Sequence, residues 1–443
     1  MNCFYAAPVA VIALCAATVV TAETCPPLPK APEIAPRLEV ILPKNPPQVP
    51  ATRHHTPMPE APPEATHIKL TRAYCRADCE LASSVELDGD GEGIYRGERF
   101  DVLVQGEHRF PLAPGAMACL MDAFHTADFW SLAPAYTVDE PALEISTLEV
   151  EVAGQHKKVK ERVGVRVGAP PALARLELAV EAAGAQSYLV GDANTVPLLQ
   201  AEHFDFRSRA GAVLLDSAAN LSPDSVVLAI LAQGAPANQK VLTNGFSDNS
   251  AVATSARRGK LALVRAMVAA GAFKDAPYQM REDALRAAIE DAWPAVVEEL
   301  IKDGADVHAR GDEGEGVLDH LGANSLSARK IEDPAFRADR VAVIRLLLAA
   351  GTPIPRTIMF HAETQEEIRL FLATGADLEA RNGEETPLLA TYDEHVAIAL
   401  LEAGADRNAK DEDGRTIADK AANKDRGMRR VLDWLRAHPA KAR

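Results

Sequence analysis

Six times in the second half of this 443-residue chain an apolar run with helical spacing ends in Gly-Ala or Gly-Thr. The glycines are Gly234, Gly271, Gly304, Gly351, Gly375 and Gly404, at intervals of 37, 33, 47, 24 and 29 residues. The runs before them read SVVLAILAQ, LALVRAMVAA, AVVEELIKD, VAVIRLLLAA, EIRLFLAT and HVAIALLEA, and a second helical stretch precedes most of these. Helix pairs repeating at about thirty residues mark a stacked array, because no single pair can bury its apolar side alone.

Three of the glycines open nearly the same string: GADVHAR, GADLEAR and GADRNAK. Glycine ends a helix by entering the left-handed region without a Cβ clash. The small Ala lets the next unit approach, and Asp306, Asp377 and Asp406 suit a turn because their carboxylates bond nearby backbone. Thr386-Pro387 and Thr416 then fit the start of a following helix. No reactive group is common to the copies, so the string serves packing. These residues resemble the ankyrin repeat family, with TPLLA (Thr386 to Ala390) in place of its Thr-Pro-Leu-His-x-Ala and Leu389 in the His position. The resemblance spans about residues 206–438, within a repeat domain read as 206–443, as about six units and a C-terminal cap. It implies an all-α solenoid that binds proteins through loop tips and a concave face. The fourth unit is stretched between Leu321 and Arg340 and the fifth lacks Thr-Pro, so irregularity and a protruding loop are expected there.

Residues 64–191 carry a different period. HIKLTRAY alternates apolar and polar residues, and ELASSVELDGDGEGIYRGERF reads as strand, turn, strand. A further hairpin is expected across Gly154. Helical spacing returns over Pro114 to Ala127 and Pro170 to Ala183. The expectation is an α+β domain, an antiparallel sheet with two helices on one face. Asp88, Asp90, Glu92 and Gly93 copy the first half of a calcium loop, but Arg99 stands where a bidentate Glu is needed, so a Gly-rich hairpin turn is the better account. Cys75 and Cys79 have three residues between them, which is the wrong spacing for a redox motif, and no matching soft ligands for zinc accompany them. A structural disulfide is the simplest reading for an exported chain. Cys119 is then either a buried thiol or a partner for Cys25. The run HIKLTRAYCRADCELASSVELDGDGEGIYRG resembles the opening of a small bacterial envelope domain of unknown function, over about residues 67–190. Arg76-Ala77 stands there where the family has aromatic-Gly. That family implies no activity.

Residues 1–22 read as a secretory signal, with an uncharged run from Phe4 to Ala22 and Val20-Thr21-Ala22 before the cut. The expected location is the periplasm or outside the cell, or the inner membrane if the run is retained as an anchor. Residues 23–63 are a Pro-rich linker, with thirteen prolines between Pro26 and Pro63. Such a stretch favours extended polyproline II and reads as a stiff tether.

Net charge is −16, and no segment is strongly basic, which argues against nucleic acid. No phosphate loop, Gly-x-Ser-x-Gly or His-Glu-x-x-His occurs. SARK (Ser327 to Lys330) has the Ser-x-x-Lys form without its companion strings. His361 and His395 read as capping or surface residues. The chain is therefore expected to be a non-catalytic scaffold without cofactor or metal, a monomer that binds another protein and no small-molecule substrate. Between Glu282 and Asp319 lie twelve acids and three bases, so the surface there should be negative. Asp306, His308, Arg310, Asp312 and Glu313 are the residues expected to meet a basic partner. The alternative is an inhibitor or immunity protein that blocks a toxin or hydrolase through the same surface.

Overall fold

The computed structural model describes residues 25–30, 48–49, 55–75, 79–98, 102–138, 144–242, 248–276, 279–311, 314–321, 333–423 and 427–439. The signal-like run and Ser327 to Lys330 lie outside them. The chain divides into two compact units, residues 1–99 with 106–186, and residues 100–105 with 187–443.

The first unit is a seven-stranded sheet. Its strands are β1 (Thr66–Cys75), β2 (Cys79–Asp88), β3 (Glu92–Gly97), β4 (Gly106–Pro111), β5 (Ala135–Thr137), β6 (Glu144–Val152) and β7 (Gln155–Arg162). They lie in the order β4-β3-β2-β1-β6-β7-β5. Alternation decides the faces. Ile68, Leu70, Val85, Leu87, Leu148, Val150, Val152 and Val159 are all buried. Helices α1 (Ala116–Thr126) and α2 (Pro171–Val180) add Leu120, Phe124, Leu173, Leu176 and Val180 to the same core. On the other face Lys69, Glu86, Arg96 and Glu107 form a ladder of ion pairs.

The expected turns are present. Ala153 and Gly154 join β6 to β7 with φ of 51° and 77°, the primed turn that matches strand twist. Gly91 (φ 96°) turns β2 into β3, and Asp90 there accepts the Glu92 N–H at 3.1 Å. One expectation needs correcting. The sheet is not purely antiparallel, because β5 runs parallel to β7. Its three residues, AYT, are too few to show a period of two.

The Pro-rich stretch is not a free tether where it is described. Cys25 is disulfide-bonded to Cys119 on α1, which settles the pairing that the sequence left open. Arg175 on α2 donates to the carbonyls of Pro29 at 3.0 Å and Leu28 at 3.4 Å. Val49 donates its N–H to Val167 O at 2.7 Å, and Thr56 N–H bonds Ser131 Oγ at 2.7 Å. Cys75 and Cys79 face each other as the last pair of the β1–β2 register. Their side chains, and residues 76–78, lie outside the described residues.

The second unit is two rows of helices. One row contains Arg209–Leu221, Ala251–Arg257 and Met280–Glu290, then single turns at Val317–His320 and Ile358–His361, then Pro387–Ala390 and Ile417–Ala422. The other contains Asp224–Ala232, Leu261–Ala269, Pro294–Lys302, Pro334–Ala349, Gln365–Ala373, Glu394–Ala403 and Arg429–Ala437. Each helix packs on the next in its row, and the pairs repeat as the sequence period requires. All six marker glycines have positive φ, between 82° and 103°. After five of them the next N–H reaches back to close the helix, as Ala305 does to Leu300 O and Ala405 to Leu400 O, each at 3.0 Å. Thr416 caps its helix, accepting from Asp419 N–H, but Thr386 makes no such bond. The stretched fourth unit lengthens its second-row helix to sixteen residues, and residues 322–332 lie outside the described part. Ahead of these pairs, Val102, Leu103 and Val104 are buried in this unit. Leu103 and Val104 donate to Leu189 O and Tyr188 O at 2.8 and 3.0 Å.

Candidate protein-interaction site

The GAD strings build a row of identical turns. Asp306 Oδ1 accepts the His308 N–H at 2.8 Å, Asp377 Oδ1 that of Glu379 at 2.9 Å, and Asp406 Oδ1 that of Asn408 at 2.9 Å. Each aspartate thus holds its hairpin by bonding backbone two residues on, as the sequence suggested. Neighbouring units also meet there, for Asp306 N–H donates to Glu282 and Asp406 N–H to Glu379.

The expected partner-binding residues divide accordingly. Asp306 and His308 stand on one hairpin, 60% and 61% exposed, with ring and carboxylate 3.4 Å apart. Arg310 bridges to Gly316 through backbone and donates from Nη1 to Gly314 O at 2.7 Å. Asp312 and Glu313 lie outside the described residues. Asp306 and Arg310 therefore shape the hairpin, and His308 presents its ring to solvent. The recesses beside Arg310 are about 10 and 30 Å³, room for little more than a water.

The acid excess between Glu282 and Asp319 is offset in part. Asp283 meets Lys240 at 2.5 Å and Arg286 at 2.5 Å, Glu290 meets Arg257 at 3.6 Å, and Glu299 meets Arg265 at 2.7 Å. Lys240, Arg257 and Arg265 belong to the preceding repeat. A count along the chain cannot see them, because the partners are about one period apart.

Two histidines on the single turns follow this row. His320 lies 3.9 Å from Glu290 and 4.0 Å from Glu315, and His361 lies 3.7 Å from Asp319. Burial, with Arg286 beside it, holds the His320 imidazole below its ordinary value against the pull of those carboxylates. Burial also lowers His361, with Arg340 and His320 adding to it and Asp319 opposing. In both, burial favours the neutral ring. His361 is a half-buried member of this row and no capping residue; His395 is exposed, and its N–H bonds Asp393 at 2.7 Å. Sequence reasoning missed His320, because a polar residue on a short turn breaks no helical period, and the buried pair Arg340–Glu367, whose members lie on two different helices. Among the described residues no group of three or more His, Cys, Asp or Glu side chains could hold a metal ion.

The human ASB11 ankyrin repeat domain is a solved structure to which this chain is similar, with 22% identity over 51% of this chain and 98% of that one and a TM-score of 0.37. No curated protein matches the chain. Residues 66–184 match a family model described as a domain of unknown function, DUF6438, and the first unit's sheet and helices carry that domain.

Proposed function

We propose that this is an exported, non-catalytic protein that captures another protein on the hairpin row of its helical array. The observation that carries the reading is the repetition itself. Three of the six units, those ending at Gly304, Gly375 and Gly404, present the same aspartate-locked turn, so the exposed His308 and Asn408 and the half-buried Glu379 occupy equivalent places on a preorganised frame. Such a row suits an extended contact with a partner, and the recesses beside Arg310 are too small for a small-molecule substrate. Export is supported by the uncharged Phe4 to Ala22 run and by the Cys25–Cys119 disulfide, since such bonds persist in oxidising compartments.

The test is site-specific photo-crosslinking in intact cells, with the crosslinker placed in turn at positions 308, 379 and 408 and, as a comparison, at position 158 on the open sheet face. Adducts with one and the same protein are expected from the three hairpin positions. Adducts from position 158 alone would move the binding surface to the sheet and end this reading.

A further inference from the structure

We infer that the segment ahead of the sheet is a redox-latched strap, in which the Cys25–Cys119 disulfide decides whether residues 25–30 lie along α2 or come free. The strap has few ways to hold itself down. Pro26, Pro27 and Pro29 have no N–H, so the segment offers mainly carbonyls. Arg175 takes two of these, on Leu28 and Pro29, and both residues are half-buried. Bonds from one half-buried guanidinium do not offset the ordering of six residues. The covalent link, with its α-carbons 5.3 Å apart, supplies the rest. Further along, Gln48 Nε2 donates to Arg166 O at 2.8 Å and His55 meets Asp128 at 2.9 Å, so the same segment touches this unit again before β1.

Opening needs a dithiol reductant. One of its thiolates attacks a sulfur of the pair, and its second thiol resolves the mixed disulfide. Cys25 and Cys119 end as thiols, having gained two electrons and two protons, and the dithiol ends as a disulfide. The consequence is a change of reach. With the latch closed, the apolar run that ends at Ala22 is three residues from a point fixed on α1. With it open, about twenty residues lie between Cys25 and the next fixed point at Gln48, on the order of 70 Å if extended.

The test is limited trypsin digestion of the full chain, following the cut after Lys30. Oxidised chain, dithiol-treated chain and the C25S/C119S variant are compared, with amide exchange in β1 and β2 as the measure of the fold. The variant isolates this bond from Cys75 and Cys79, which a dithiol would also keep reduced. The expected result is cleavage at least tenfold faster in the two unlatched chains, with sheet protection unchanged. Equal rates in all three chains overturn the inference. Loss of sheet protection together with the strap also overturns it, because the bond would then hold the fold and not a latch.

Discussion

Arg340 and Glu367 meet inside the array with side chains only 3% and 0% exposed, Nε donating to Oε1 at 2.9 Å. The other carboxylate oxygen accepts the Glu363 N–H at 2.7 Å, and Arg340 Nη2 donates to the His361 carbonyl. One guanidinium thus ties the helix Pro334–Ala349 to Gln365–Ala373 and to the single turn between them. Glu367→Ala should cost about 3–5 kcal/mol, since it strands a buried cation. Replacing both together, as R340M/E367L, should cost far less. Urea denaturation followed by far-UV dichroism separates the two, and equal losses would show that the pair contributes only through packing.

Gly259 has φ +68°, and a Cβ there would lie 2.4 Å from the Trp293 ring, whose Nε1 donates to Arg257 O at 2.8 Å. Gly259→Ala therefore meets two penalties, about 1–2 kcal/mol for the left-handed backbone and about 1–3 kcal/mol for overpacking. Gly304→Ala, at φ +87° with open space around it, meets only the first. The melting temperature of G259A should fall below that of G304A, and indistinguishable values would show that the Trp293 ring yields freely.

How much of this was legible follows from the range of each interaction. The six glycines, the Asp306-type turns and the β6–β7 turn at Gly154 are local, so their residues announce them. The pairing of Cys25 with Cys119 closes a separation of 94 residues, and nothing beside either cysteine encodes it. The docking of Leu28 and Pro29 on Arg175 is invisible for the same reason: prolines state what a backbone cannot do, not what lies beneath it. At the candidate site the hairpin was legible but its electrostatics were not. The cations Lys240 and Arg257, which meet Asp283 and Glu290, are a repeat away along the chain. Thr386 and Thr416 looked alike in sequence, yet only Thr416 caps, where Asp419 completes a capping box.

Glu177 on α2 gives the first unit a pH dependence. Burial pushes its carboxyl up to about 8; Arg72 and a 2.6 Å bond from Ser146 Oγ oppose this, and Glu161 and Glu181 add to it. A raised folded value means that the proton stabilises the fold. That contribution is complete below the unfolded value of about 4.3 and is lost as pH rises through about 8. Stability of the sheet unit should fall across this window, and Glu177→Gln should flatten the profile. A variant whose stability still declines in parallel with the parent would place the dependence elsewhere.

Asp411 in the last repeat has the opposite sign. Burial pushes its carboxyl up, but the Arg415 N–H at 2.8 Å, Lys420 Nζ at 3.2 Å and Arg415 Nε at 3.1 Å outweigh this and hold it down to about 2. A lowered folded value means that the carboxylate stabilises the fold above its unfolded value, near 3.9, and that this is lost as pH falls through about 2. Lys420 is buried and also bonds Leu389 O at 3.2 Å, so protonating Asp411 removes one of the two carboxylates, Asp411 and Glu385, that meet an interior ammonium. Amide exchange in Ile417–Ala422 should accelerate between pH 4 and 2 ahead of Leu261–Ala269. Asp411→Asn should show the faster exchange already at pH 7, with little further change on acidification. Exchange that rises together in both helices, and equally in the variant, would mean that Asp411 does not hold this end of the array.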